Sequence, residues 1–192
     1  IATRAGGPDP DTGRAWWVFR PYRFKSDGAS LVCMDFTWIV GLDGSDGSAS
    51  ALRWAATIAE RRGERVRPVA SWHVPFPIWL LSGRRPVEVD RGGISAEVAV
   101  HASEAISALP ETAVIDEPQI LEGHPAPTLC LMAGPETPLV VGRRGIGGLK
   151  HRLLGSVSQY LATNADGPVV VVPDDWETAP IRRIVVGFDG SD

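Results

Sequence analysis

Cysteine is scarce in this chain, with two residues, Cys33 and Cys130, among 192. Neither stands in a spacing typical of a metal site or a redox motif, so the sequence offers no disulfide framework and indicates a reduced, cytoplasmic setting. Histidine is also rare, and its four positions are scattered: His73, His101, His124 and His151. They show neither the grouping of a zinc site nor that of a nucleophile with its base, so we interpret His73 as structural.

Long apolar runs are missing as well. No stretch approaches the roughly 20 apolar residues that a membrane-spanning helix needs, and the N-terminus lacks the basic-then-apolar pattern of a secretory signal. Basic residues are not in excess either, because 19 Lys and Arg stand against 23 Asp and Glu, a net charge of -4. This balance argues against binding to nucleic acid or anionic lipid. We therefore expect a small molecule or another protein as the partner, with no nucleic acid and no membrane.

From residue 37 onwards, apolar runs typical of buried strands alternate with segments that carry helical apolar stripes. Strands are predicted at 38–42, 66–74, 113–121, 138–141 and 168–173. Helices are predicted between a cap at Ser48 and a glycine stop at Gly63, and at 95–109, 125–133 and 156–164. This alternation is typical of an α/β fold with a parallel sheet and helices on both faces, in which ligands bind beyond the carboxyl ends of the strands.

The composition divides the chain into three parts. Residues 1–33 show no regular periodicity, so we interpret them as an extension outside the domain, and a natural start at Met34 would make them artefactual. Residues 34–175 form the domain. In the remainder, 176–192, the octet IVGLDGSD of 39–46 recurs as VVGFDGSD at 185–192. This repeat indicates a linker and the first strand of a truncated second domain, with two unrelated strands that share a turn as the alternative.

A glycine-rich stretch, GRRGIGGLKHRLLGS, occupies 142–156 directly after an apolar run. It matches neither the Walker-type loop, which needs a lysine and a hydroxyl after its last glycine, nor the dinucleotide fingerprint GxGxxG. The spacing that holds is Gly142-x-x-Gly145, nine residues, then Gly155-Ser156. Glycines allow close backbone approach, and the helix that Gly155 and Ser156 open offers free N–H groups and a positive dipole end, which suit a triphosphate.

Four segments together resemble the universal stress protein family: IVGLDGSDGSASALRWA, SWHV, LVVGRRGIGGLKHRLLGSVSQYLA and PVVVVP. The glycine spacing above is the signature of that family's ATP-binding branch. The resemblance implies an α/β fold of five parallel strands with helices on both faces, Rossmann-like and similar to the adenine-nucleotide α-hydrolases. It also implies ATP as the ligand, with Mg²⁺, and pairing through the strand Val169 to Val172, as a homodimer or between tandem domains.

The same resemblance implies which residues form the site. Asp43 and the backbone at Val74 would hold the adenosine end of the nucleotide. The ribose and the phosphates would be surrounded by Gly142, Gly145, Gly155, Ser156, Val157 and Ser158. Among the basic residues of the loop, Arg143, Arg144, Lys150 and Arg152, we take Arg144 as the phosphate neighbour. Structural alternatives stay open: turn formation for the glycines and Asp43, and helix capping for Ser156.

Together with the resemblance, these residues predict a nucleotide-responsive regulatory protein, in which ATP occupancy changes domain pairing or loop order, and the resemblance implies a role in stress adaptation. Efficient turnover is not expected, because a hydrolase needs a base positioned for water and a metal-holding carboxylate near the γ-phosphate. Slow hydrolysis or autophosphorylation is the most that we expect. Two alternatives stay open: an ATP-using enzyme of related fold, adenylating or weakly hydrolytic, and a dimerisation module that binds no nucleotide.

Overall fold

A computed structural model of the protein describes residues 16–18, 36–74, 89–134, 137–146, 154–178 and 185. Within these residues, six strands form one sheet. They are β1 (Trp16–Val18), β2 (Thr37–Leu42), β3 (Arg65–Trp72), β4 (Gln119–Glu122), β5 (Leu139–Gly142) and β6 (Val169–Val172). The spatial order is β1-β6-β5-β2-β3-β4, and β2 to β6 run parallel. The predicted five-stranded parallel sheet is therefore confirmed.

Helices cover both faces of this sheet. They are α1 (Asp46–Arg62), α2 (Arg91–Ser107), α3 (Pro125–Met132) and α4 (Ser156–Asn164). Residues of α1 and α2 share one apolar cluster with Val170 and Val172, whereas residues of α3 and α4 share the other with Val169 and Val171. Successive side chains of a strand point to opposite faces, so an all-valine strand supplies both clusters. The continuous apolar runs in the sequence thus correspond to a sheet that is buried on both faces.

The start of α1 differs from the prediction. Ser45, not Ser48, is the N-cap, and its Oγ accepts a hydrogen bond from the Ser48 N–H at 3.2 Å. Ser48 Oγ donates back to the Ser45 carbonyl at 2.9 Å. The helix begins earlier because Asp46 is favourable in its first turn, where the helix dipole attracts negative charge. The predicted stop at Gly63 is confirmed, with a left-handed φ of 67°.

Two further boundaries were predicted imperfectly. Helix α2 begins at Arg91 rather than Ser95, because Asp90 caps it by accepting from the Gly93 N–H at 2.9 Å. The strand predicted at 113–121 is shorter, and Ile115 forms only an isolated bridge with Val66 before β4 begins. Residues 116–119 interrupt the apolar pattern there. The segment therefore pairs with β3 at two separate places, at Ile115 and again along β4.

Strand β1 belongs to the segment that the sequence sets apart as an extension. It pairs antiparallel with β6, from Trp16 opposite Val171 to Val18 opposite Val169. Three residues are too few to show a strand periodicity, which is why the pattern did not predict this element. The backbone edge of β6 that faces away from β5 is therefore occupied. The rest of the extension lies outside the described residues, and the domain boundary at residue 34 stays a prediction.

Two other predicted features also fall largely outside the described residues. The proline-rich loop predicted at 75–93 is described only from residue 89, and the repeated octet near the C-terminus only at Val185. In the part of the chain that is described, no helix combines the length and the apolar character needed to cross a membrane.

Candidate functional site

A cavity of about 860 Å³ lies over the carboxyl ends of β2, β3 and β5. Its wall is completed by α2 and by the first turn of α4. The chain passes from β2 to β3 and β4 on one side and returns to β5 and β6 on the other, so the strand order reverses between β2 and β5. Ligands of parallel α/β sheets bind at such a reversal, and a cavity of this size suits a small organic molecule.

Asp43 joins the two loops that border this cavity. Its Oδ1 accepts hydrogen bonds from the Ser45 N–H at 3.0 Å and from the Ser45 hydroxyl at 2.5 Å. Its Oδ2 accepts from the backbone N–H of Ile146 at 3.2 Å. The carboxylate therefore stabilises its own turn and also anchors the glycine loop that follows β5. A ligand hydroxyl at Asp43 would share an oxygen that already has a partner within the chain.

Gly142 and Gly145 lie where the two loops pack against each other. A Cβ added at Gly142 would lie 2.6 Å from the Gly47 carbonyl oxygen and 2.9 Å from the Ser48 nitrogen, which are backbone atoms. A Cβ added at Gly145 would instead overlap the Asp43 carboxylate, the end of a side chain that can move. Packing within the chain therefore accounts for the glycine at 142, and at 145 it protects the position of Asp43. Neither role conflicts with ligand contact.

The N-terminal end of α4 faces the same cavity. Gly155 is the N-cap in ordinary extended conformation, and no side chain caps this end of the helix. The Gly155 N–H donates to the Arg143 carbonyl at 2.8 Å, which ties the helix to the glycine loop. Ser156 is exposed and lines the cavity. First-turn N–H groups without a side-chain cap, together with the helix dipole, favour an anion here.

Ser158 has a different orientation. Its side chain is buried, and its Oγ donates to the carbonyls of Arg143 and Gly155, both at 3.0 Å. The hydroxyl proton is thus directed at the backbone of the loop. Of the two serines that the sequence offers for phosphate contact, Ser156 is the one with an exposed side chain.

An aspartate that the sequence analysis did not select holds the arginines of the loop. Asp174 Oδ2 accepts from Arg144 Nε at 2.7 Å and pairs with Arg143 at 3.4 Å. Among the described residues, Arg143 Nε and Asp174 Oδ1 are buried polar atoms without a hydrogen-bond partner. Asp174 lies two residues beyond β6, and no motif marks it. Lys150 and Arg152 lie outside the described residues.

Two histidines that the sequence leaves unrelated are in ring contact. The His73 and His124 ring centroids lie 3.8 Å apart, with the planes tilted by 31°. His73 follows β3 and lines the cavity, and His124 is the N-cap residue of α3. Trp72 and Gly123 hold the neighbouring backbone together, because the Gly123 N–H donates to the Trp72 carbonyl at 2.8 Å. The sequence carries no signal for this contact.

The structure brings eight of the nine predicted site residues to one cavity. They are Asp43, Gly142, Arg144, Gly145, Gly155, Ser156, Val157 and Ser158. Val74 is not among the described lining residues, but it directly follows His73, which does line the cavity. The described residues contain no group of three or more His, Cys, Asp or Glu side chains that could hold a metal ion. Contact of these nine residues with a ligand stays a prediction.

Comparison with known sequences assigns most of the domain to a protein family. A family model described as the Universal stress protein family matches residues 37–173. The universal stress protein Rv1996 of Mycobacterium tuberculosis is 31% identical over 175 residues, which cover 80% of this chain and 53% of that protein. Rv2623 of the same organism is 35% identical over 164 residues, with 80% and 54% covered. The chain thus spans about half the length of the curated relatives it matches.

Solved structures share the architecture. Universal stress protein UspA from Lactobacillus plantarum matches with a TM-score of 0.54 at 19% identity, over 72% of this chain and 97% of that chain. A universal stress protein from Archaeoglobus fulgidus matches with a TM-score of 0.50 at 24% identity, over 72% and 99%. At these identities the likeness shows the fold alone.

Proposed function

This chain belongs to the universal stress protein family, and from that membership we propose that it binds an adenine nucleotide in the cavity above its parallel sheet. ATP with Mg²⁺ is the proposed ligand. Nucleotide occupancy would then change loop order or domain pairing, which a partner reads during stress adaptation in the cytoplasm. In this proposal the protein acts as a regulator rather than as an efficient enzyme.

One observation carries this proposal: the glycine loop, the N-terminal end of α4 and the Asp43 turn all border a single cavity. One end of the cavity combines a helix N-terminus with Arg144, which is paired with Asp174. Phosphates at that end would accept hydrogen bonds from the first turn of α4 and from the exposed hydroxyl of Ser156. That hydroxyl and the phosphates themselves would hold Mg²⁺, which supplies charge neutralisation.

The remaining polar groups fit binding better than turnover. A hydrolase needs a free base for water and a carboxylate for the metal. Asp43 and Asp174, which flank the loop, are instead hydrogen-bonded to Ile146 and to the arginines at 143 and 144. Both carboxylates act in loop positioning, which supports a site that retains its nucleotide and responds to it.

Pairing of domains through β6 is also part of the proposal, as a homodimer or between tandem domains. An edge strand has one free side, and β1 occupies that side of β6. Pairing through β6 therefore requires β1 to leave the edge. The proposed second domain, for which the repeated octet is the support, would be one competitor for the same backbone groups.

Calorimetric titration of the purified chain with MgATP, MgADP and AMP tests the binding proposal. We expect micromolar affinity for at least MgATP, and adenine nucleotide in the supernatant when freshly purified protein is denatured. Absence of heat with all three ligands, combined with absence of released nucleotide, would refute the proposal and favour a dimerisation module. Pyrophosphate or rapid phosphate release under the same conditions would instead favour an enzyme.

A further inference from the structure

The contact between His73 and His124, called the histidine stack below, has no role in the site as described so far. Its ring centroids are 3.8 Å apart, and the planes are tilted by 31°, nearer to a parallel than to an edge-on arrangement. Both residues are exposed. Aromatic rings attract other flat molecules in offset-stacked or edge-to-face geometry, so an exposed pair offers a contact for one.

The histidine stack lies at the end of the cavity opposite to the phosphate end. The helix terminus and the glycine loop follow β5, whereas His73 follows β3, and β2 lies between these two strands. Neighbouring strands are spaced so that the ends of β5 and β3 lie about 10 Å apart. This separation is comparable to the distance between the phosphate and the base within a nucleoside monophosphate.

Two helices complete the cavity wall with many apolar side chains. Helix α2 contributes Val98, Ala102 and Ala105 together with the polar residues His101 and Glu104, and α3 contributes Leu129. Apolar wall residues together with an exposed aromatic ring suit a planar heterocycle that also carries polar groups. The two ends of the cavity thus have the different chemistries that the two ends of a nucleotide require.

We propose that the histidine stack is the base-recognition platform of this site: the purine lies against the His73 ring, and His124 supports that ring from behind. This inference rests on the proposed nucleotide function and adds the residues that select for a base. His124 would act by positioning, because a ring already stacked on its neighbour loses less conformational freedom when the base arrives. His73 would be the contacting residue.

Paired ligands test the inference, because ribose 5-phosphate has the phosphate and sugar of AMP but no base. Replacement of His73 by Ala should weaken AMP binding about tenfold, in line with the contribution of base stacking on aromatic side chains. Binding of ribose 5-phosphate should stay within about twofold by the same reasoning. His73→Phe should retain AMP affinity, and His124→Ala should cause a smaller, AMP-specific loss. Tyr160→Ala removes an exposed aromatic ring of α4 and serves as the control without effect.

A second readout uses 2-aminopurine riboside 5′-monophosphate, whose fluorescence is quenched when the base stacks. We expect quenching with the unmodified chain and with His73→Phe, and bright emission from the complex with His73→Ala. Equal losses for AMP and ribose 5-phosphate, or no loss for either, would assign a merely structural role to the stack and overturn the inference while the binding proposal stands. Failure of the unmodified chain to bind AMP, MgADP and MgATP would overturn both.

Discussion

Asp43 accepts a hydrogen bond from the backbone N–H of Ile146 at 3.2 Å, which links the loop after β2 to the loop after β5. These loops lie on either side of the point where the strand order reverses. Both residues line the cavity. A ligand that competed for the Asp43 carboxylate would remove this link and loosen the glycine loop, so the proposed ligand occupancy would be coupled to loop order through one side chain.

Substitution of the loop glycines should cost stability in a defined order. Gly142→Ala would force a Cβ against the backbone of Gly47 and Ser48, which cannot move as a side chain can, and we expect a loss of about 1–3 kcal/mol. Gly155→Ala is the matched control, because its nearest contact would be the Arg143 carbonyl oxygen at 3.3 Å. Urea unfolding measures both. Equal stability of the two variants would show that loop packing does not explain why residue 142 is a glycine.

A negative charge at the first residue of α4 should abolish phosphate binding without unfolding the helix. Ser156→Glu places a carboxylate where the helix dipole stabilises it, yet repels a phosphate at the same end. We expect at least a tenfold loss of MgATP affinity by calorimetry, as for like charges in contact. Thr163→Glu adds the same charge to an exposed position about two turns further along the same helix and should retain affinity. Equal effects of both variants would argue against a phosphate seat at Ser156.

Removal of the Asp174 charge should release the arginines of the glycine loop. Asp174→Asn weakens the contacts to Arg143 and Arg144, so we expect a stability loss of about 1–3 kcal/mol, as for hydrogen bonds to charged groups. With a carboxylate removed from the guanidinium groups, MgATP affinity should rise and become more sensitive to salt. Asp175→Asn, an exposed neighbour with the same change of charge, is the control. Unchanged salt dependence in Asp174→Asn would exclude these arginines as phosphate neighbours.

Disruption of β1 should uncover the edge of β6. Trp17→Pro removes a backbone N–H and disfavours strand geometry opposite Val170, whereas Trp17→Phe retains both. We expect faster hydrogen exchange at the β6 amides that face β1 and, at rising protein concentration, dimers in analytical ultracentrifugation. If the proline variant exchanges faster but stays monomeric, pairing through β6 is wrong. If its exchange is unchanged, β1 does not protect this edge in solution.

Local features of the fold were predictable from the sequence because each depends on residues near one another in the chain. The all-valine strand β6 and the limits of α4 at Ser156 and Asn164 follow from apolar patterning. The stop of α1 follows from a glycine in left-handed conformation. The start of α1 was missed because a run of Asp, Gly and Ser contains several capping residues, and patterning does not choose between them.

The sequence by itself determined the order of the helices and of the five parallel strands along the chain, the burial of the sheet on both faces and the glycine spacing, since these are properties of periodicity and residue type. The tertiary structure alone decided which distant residues meet. Asp43 meets Ile146 because β2 lies next to β5, His73 meets His124 because β3 lies next to β4, and Asp174 meets Arg144 because β6 lies next to β5. Strand order depends on the packing of the whole domain, and no local pattern records it.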